Sequence, residues 1–282
     1  MPNTFTVKPL APRFVAEVSG LPEINANPSV IEELKQLWVQ YPVLVLPNQH
    51  HCIDGFVRFA RQFGDFGDDP FIRPVTASKH VVEVRRDAEE STPIFGASWH
   101  SDWSFQRAPP SATLLLAKEL PPIGGDTIFA DCYAAYDALP QEFKASLDGL
   151  SASHSAAPSY GPDGLFADDD ESRSMQIIVS ESARECQSHP IVRTHPESGR
   201  RGLFINHVYT LAVDGMDQSA GRALLRKLFA HMTREEFIYS HKWRTNMLVL
   251  WDNRCVLHHA DGGYEGHQRI MHRVTLAGER PH

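Results

Sequence analysis

The segment WHSDWSF (99–105) places His100 two residues before Asp102, with a tryptophan on either side of the pair. In an extended chain, residues i and i+2 point to the same face. An imidazole and a carboxylate at that spacing can reach one metal ion. A third ligand must come from elsewhere, and WDNRCVLHHADGGYEGHQRIMHR (251–273) offers His258, His259, His267 and His272. Two imidazoles and one carboxylate form the donor set of non-haem Fe(II) oxygenases, which leaves three positions for an oxoacid and O2. Taken alone, the His-x-Asp spacing fits a plainer arrangement better: a buried histidine hydrogen-bonded to its neighbouring aspartate.

Groups so far apart in sequence need strands to bring them together. HVVEVRR (80–86), SATLLLAKEL (111–120), DTIFA (126–130), HPIVRTH (189–195), GLFINHV (202–208), NMLVLWD (246–252) and IMHRVTLAG (270–278) are short β-rich runs between Gly, Pro, Asn and Asp turns. FTVKPLAPRFVAEVSG (5–20) reads as short strands broken by prolines, and PVLVLPN (42–48) as a buried strand. PSVIEELKQLWVQY (28–41) carries a helical period with Pro28 and Ser29 as start signals. IDGFVRFARQFG (53–64) spaces Phe56, Phe59, Ala60 and Phe63 at helical intervals and stops at Gly64. Further helices are expected around 132–147 and 217–239. The pattern predicts a mainly β fold with helical insertions, a sandwich or jelly roll, in one domain spanning 1–282. Residues 151–186 are rich in Ser, Ala, Asp and Gly and show little periodicity, so they read as an insertion, either a lid or a floppy segment.

Composition excludes several partner classes. The formal net charge of −8 supplies no overall basic field for nucleic acid or an anionic membrane. No run approaches the apolar length of a membrane helix, and MPNTFTVKPLAPRF has no signal-like apolar core. Cys52, Cys132, Cys186 and Cys255 are scattered and read as reduced thiols. The expectation is a cytoplasmic protein acting on a small molecule.

Six ordered segments carry a resemblance: FARQFGDF (59–66), WHSDWSF, AKELPPIGGDT (117–127), HPIVRTHPESGRRGLFIN (189–206), WDNRCVLHHA (251–260) and QRIMHRVTLAG (268–278). Together they resemble the taurine/2,4-dichlorophenoxyacetate dioxygenase family, the Fe(II)/2-oxoglutarate-dependent TauD/TfdA type. The resemblance implies a double-stranded β-helix (jelly roll). It implies His100 and Asp102 as iron ligands, with His258 as the third because that position follows WDNRxxx. His259, its neighbour on a strand, would face the other way. Thr127 and Arg269 are implied to bind the distal carboxylate of 2-oxoglutarate; outside this motif, Arg269 would read as a surface ion pair. A guanidinium suits a carboxylate because it donates two parallel hydrogen bonds. Arg273, on the same strand face as Arg269, is implied to meet the substrate's anionic group or the co-substrate. Trp251, Asp252 and Asn253 read as structural. The reaction implied consumes O2, decarboxylates 2-oxoglutarate to succinate and CO2, and hydroxylates a substrate C–H bond. Cleavage follows where that carbon bears S, O or N. Members of the family are often homo-oligomers.

The sequence departs from taurine-cleaving members where they contact substrate. Their His-Pro-x-Tyr pattern is replaced by DDPFI (68–72), with Asp69 and Ile72 at the His and Tyr positions. Gly96 stands in place of their Asn, and Trp103 in place of their Val. Taurine is therefore not the expected substrate. Trp103, Phe71 and Tyr209 are expected to line an apolar or aromatic substrate body, with core packing as the alternative for each, and Arg273 to meet an acidic end. Asp68 and Asp69 fit a solvated acidic turn better than a site for a cationic group. Competing readings are an enzyme acting on an amino-acid-like or cationic substrate, a non-catalytic jelly-roll binder of small anions, and a zinc hydrolase, which would leave Arg269 and Thr127 without a role.

Overall fold

The apolar runs that read as strands are buried on both faces, which explains their near-continuous hydrophobicity. A computed structural model describes residues 5–21, 28–168 and 173–282. The chain opens with β1 (Thr6–Ala11), β2 (Val15–Ser19), α1 (Pro28–Gln40), β3 (Val43–Leu46) and α2 (Ile53–Arg61). It continues through β4 (Val82–Arg86), β5 (Ala112–Glu119), β6 (Thr127–Asp131), α3 (Cys132–Asp137), α4 (Gln141–Leu147), β7 (Ser151–Ser155) and α5 (Ala157–Tyr160). Next come β8 (Cys186–Pro190), β9 (Val192–Thr194), β10 (Arg201–Leu203), β11 (Thr210–Val213) and α6 (Gln218–Met232). The last strands are β12 (Ile238–His241), β13 (Leu248–Asp252), β14 (Val256–Ala260) and β15 (Arg269–Leu276).

A seven-stranded sheet, ordered β1-β2-β3-β13-β5-β15-β4, faces smaller sheets β12-β6-β14 and β11-β7-β8. This is a jelly roll. Side-chain alternation in the large sheet sorts its two faces. Leu114, Leu116, Leu248, Leu250, Val274 and Leu276 pack on one side with Leu34 and Trp38 of α1 and Phe56 and Phe59 of α2. Leu115, Ala117, Val249, Trp251 and Met271 point the other way, into a core with Phe129 of β6 and Val256 of β14. The odd-numbered residues of β5, β13 and β15 therefore face the interior between the sheets. Arg269, Arg273 and Thr275 of β15 share that parity, and regular pairing of β15 with β4 maintains it through Arg273.

Two sequence expectations are corrected. The segment 151–186 is not a plain insertion, because Ser151–Ser155 forms β7 between β11 and β8, and Cys186 begins β8. SASHS hides this strand because its inward residues are Ala152 and His154 rather than large hydrophobics. Residues 169–172 lie outside the described residues. GLFINHV forms a strand only through Leu203. Asn206 ends the extended run, since its Oδ1 accepts from the backbone N–H groups of Val208 and Tyr209.

Candidate active site

His100 and His258 sit opposite each other in an isolated antiparallel bridge. His100 N donates to His258 O at 2.9 Å and His258 N to His100 O at 2.8 Å. Residues paired in this way project to the same face, and the two imidazole centroids are 4.2 Å apart. The chain then turns, which brings Asp102 Oδ1 to 3.5 Å from His100 Nε2 and 3.9 Å from His258 Nε2. One ligand atom from each of these three buried residues lies within 4.8 Å of the others. His100 Nδ1 is 2.7 Å from Ser98 O, an arrangement in which it donates and leaves Nε2 turned toward Asp102 with its lone pair available. His259 turns away to pack edge-on against Trp99, 4.4 Å between centroids.

Asp102 is held by a chain that begins in the WDN motif. Trp251 Nε1 donates to Asn253 Oδ1 at 3.0 Å, Asn253 Nδ2 to Thr113 Oγ1 at 2.9 Å, and Thr113 Oγ1 to Asp102 Oδ2 at 2.5 Å. Asn253 is therefore more than a turn residue, whereas Asp252 is structural, binding Arg254 and His195. Burial by itself would raise the Asp102 carboxyl. His258 while it is protonated, then Arg273 and the hydrogen bond from His100, outweigh it and hold the group well below the usual carboxylate range. Burial, then His100, push the His258 imidazole down, so it is neutral and able to ligate.

Behind the triad lies a small cavity of about 50 Å³ lined by Thr127, Arg269, Arg273, Leu115 and Trp251. Arg269 is buried; Nη2 donates to Gly125 O at 3.3 Å, and Nε has no partner among the described residues. Thr127 Oγ1 accepts from Trp243 Nε1 at 3.0 Å, which leaves its own proton for another acceptor. A buried guanidinium with an unused donor beside a free hydroxyl fits a carboxylate.

In front of the triad is a larger cavity of about 310 Å³. Trp103, Tyr209 and Arg273 line it, together with Phe95, Tyr160 and Phe166, which sequence reasoning did not single out. The last two lie in the segment after β7, where SYGPDGLF (159–166) sets aromatics within a Gly/Pro-rich loop. Phe71, expected at the cavity wall, stands behind it. Its ring stacks on Tyr160 at 4.9 Å, and it is not among the lining residues. Asp69 is not a solvated acidic turn. Trp103 Nε1 (2.8 Å) and Arg273 Nη2 (2.5 Å) donate to its Oδ1, and Thr275 Oγ1 donates to Oδ2 at 3.1 Å. Trp103 itself has φ of +45°, a conformation costing a bulky residue roughly 1–2 kcal/mol, and its indole is fully buried. Gly96, with φ of +76°, lines both cavities; a Cβ there would lie 3.4 Å from the His100 ring.

The donor set suits a divalent ion of the iron type: two imidazoles with Nε2 directed inward and one ionised carboxylate, without thiolate. Comparison with known proteins agrees. Residues 6–275 match the family described as taurine catabolism dioxygenase TauD, TfdA family. The chain is 37% identical to the alpha-ketoglutarate-dependent 2,4-dichlorophenoxyacetate dioxygenase of Cupriavidus pinatubonensis, over 95% of this chain and 96% of that protein. It is 30% identical to the (S)-phenoxypropionate/alpha-ketoglutarate-dioxygenase of Sphingobium herbicidovorans, over 99% and 97%. The solved structure of AAD-2 in complex with Mn(II) and N-oxalylglycine superposes with a TM-score of 0.79 at 31% identity, over 99% of each chain. The chain belongs to the TauD/TfdA family and is a 2-oxoglutarate-dependent dioxygenase.

Proposed function

We propose that this enzyme uses Fe(II) and O2 to oxidise a small aryl-bearing organic acid other than taurine. The observation that carries the reading is the aromatic chamber of Phe95, Trp103, Tyr160, Phe166 and Tyr209, which opens onto His100 and Asp102 with Arg273 beside them. His100, Asp102 and His258 would hold the iron, and Thr127 with Arg269 the distal carboxylate of 2-oxoglutarate. The bound metal and co-substrate supply the oxidising power for C–H hydroxylation. The protein's share is placement and exclusion of water. Trp103 presents an apolar wall because its N–H is consumed by Asp69. Phe71 supports the wall from behind by stacking on Tyr160. Hydroxylation of a carbon bonded to an ether oxygen gives a hemiacetal, which collapses with C–O cleavage.

The cationic-substrate reading loses its motive, since the Asp69 carboxylate already takes three donors. All four cysteines are free thiols, in keeping with a reducing cytoplasm. None of the described helices is long and apolar enough to cross a membrane. The test is succinate formation from 2-oxoglutarate across a panel of aryloxyacetates, alkyl sulfates and sulfonates. Turnover is expected with aryloxyacetates and not with taurine, and Asp102→Ala should abolish it. Preferential turnover of sulfonates, or succinate formation with none of the aryloxyacetates, would overturn the substrate class.

A further inference from the structure

Arg273 is the one guanidinium or ammonium group among the described residues that line the larger cavity. It is already engaged. Its Nη2 lies 2.5 Å from Asp69 Oδ1, its Nη1 3.8 Å from Asp102 Oδ1, and its guanidinium sits 5.2 Å over the Trp103 ring. Asp69 is fixed in place by Trp103 Nε1 and by Thr275 Oγ1. Thr275 is the cross-strand partner of Thr113, so one threonine row on β15 and β5 anchors both aspartates of the site. With Asp102 committed to the metal, the Arg273–Asp69 pair sums to zero charge before any substrate enters.

We propose that Asp69 is a specificity-determining residue that sets the charge preference of the substrate cavity. This rests on the reading of that cavity as the substrate site. A substrate's acid group must share, or take over, a guanidinium that Asp69 already neutralises, and doing so buries an excess negative charge. The acid then contributes little net affinity and the aryl body supplies most of it. The cavity accepts aryl monoacids but scarcely distinguishes them from neutral isosteres. Asp69→Asn removes the charge while keeping an oxygen for Trp103 and Arg273, so it frees Arg273 for the substrate without dismantling the wall.

The experiment is anaerobic calorimetric titration of the Fe(II)- and 2-oxoglutarate-loaded enzyme with phenoxyacetate and with phenoxyacetamide. The wild type should bind the acid within about threefold of the amide, and Asp69→Asn should raise the acid-over-amide ratio about tenfold or more. Should the Asn variant fail to fold, Asp69→Ser removes the same charge and answers the same question. A ratio that stays the same or falls, with both probes bound, overturns the role of Asp69 and leaves the aryl-substrate reading standing. Failure of wild type and variant to bind either probe overturns both.

Discussion

At the scale of single residues, the proposed metal ligands depend on a partner that would ligate nothing. Thr113 Oγ1 donates to Asp102 Oδ2 and accepts from Asn253 Nδ2. Val at this position has nearly the same shape but neither function. It would leave a carboxylate oxygen and an amide N–H buried and unpaired, at a cost of about 1–3 kcal/mol each. It would also free Asp102 to rotate away from the two imidazoles. Partners that orient a metal ligand typically contribute about 10–100-fold to affinity. Thr113→Val should therefore weaken Fe(II) binding by that factor in an anaerobic titration, and Thr113→Ser should recover most of it. Equal Fe(II) affinity in all three proteins would show that Asp102 is positioned by the backbone alone.

At the scale of elements, two glycine-containing loops bring together Thr127 and Arg269, the groups proposed to bind 2-oxoglutarate. Gly124, with φ of +69°, packs so closely on the loop before β15 that a Cβ would lie 2.5 Å from Gly263 O. Gly125 N donates to Gly262 O at 3.0 Å, and Gly125 O accepts from Arg269. Gly124→Ala would combine a conformational cost of about 1 kcal/mol with a backbone clash that separates Thr127 from Arg269. The expected result is a lower melting temperature and 2-oxoglutarate affinity weakened about tenfold. Gly199→Ala is the matched control: φ is +66°, but a Cβ would meet nothing within 4 Å. It should cost stability alone. Similar 2-oxoglutarate affinity in both variants would refute the loop argument. The contrast also marks what the sequence could convey. The convergence of His100, Asp102 and His258 was legible because a metal-type donor set demands those residue types, and β3, β5 and β13 were legible because two-sided burial demands continuous apolar runs. Thr113 and Asp69 were not, since their roles come from strand register and from a long-range hydrogen bond that Trp103 donates to Asp69. Strand β7 was hidden because pairing with β8 and β11 forms it, not its own pattern.

At the scale of the whole molecule, the jelly roll buries histidines that it cannot easily charge. Burial, with help from His189, pushes His154 down to about 3, and burial with Arg244 pushes His241 down to about 4. Both are neutral when folded, whereas in the unfolded chain they titrate near 6.5. Between those values the unfolded state binds more protons, so stability must fall as pH drops below about 6.5. At pH 5 the loss is about 2 kcal/mol for each histidine. Carboxylates work in a different window. Asp252 is held below the usual range by Arg254 and His195 against the opposing effect of burial, so its contribution is lost only below about pH 4. Denaturant melts at pH 7 and pH 5 therefore isolate the histidines. His241 suits substitution, because neither ring nitrogen has a hydrogen-bond partner among the described residues and its ring packs edge-on against Trp243. His241→Phe keeps a ring there and removes the titration. The variant should lose about 2 kcal/mol less than wild type between pH 7 and pH 5. An unchanged pH dependence would mean that water reaches this ring in the folded protein and that the acid sensitivity arises elsewhere.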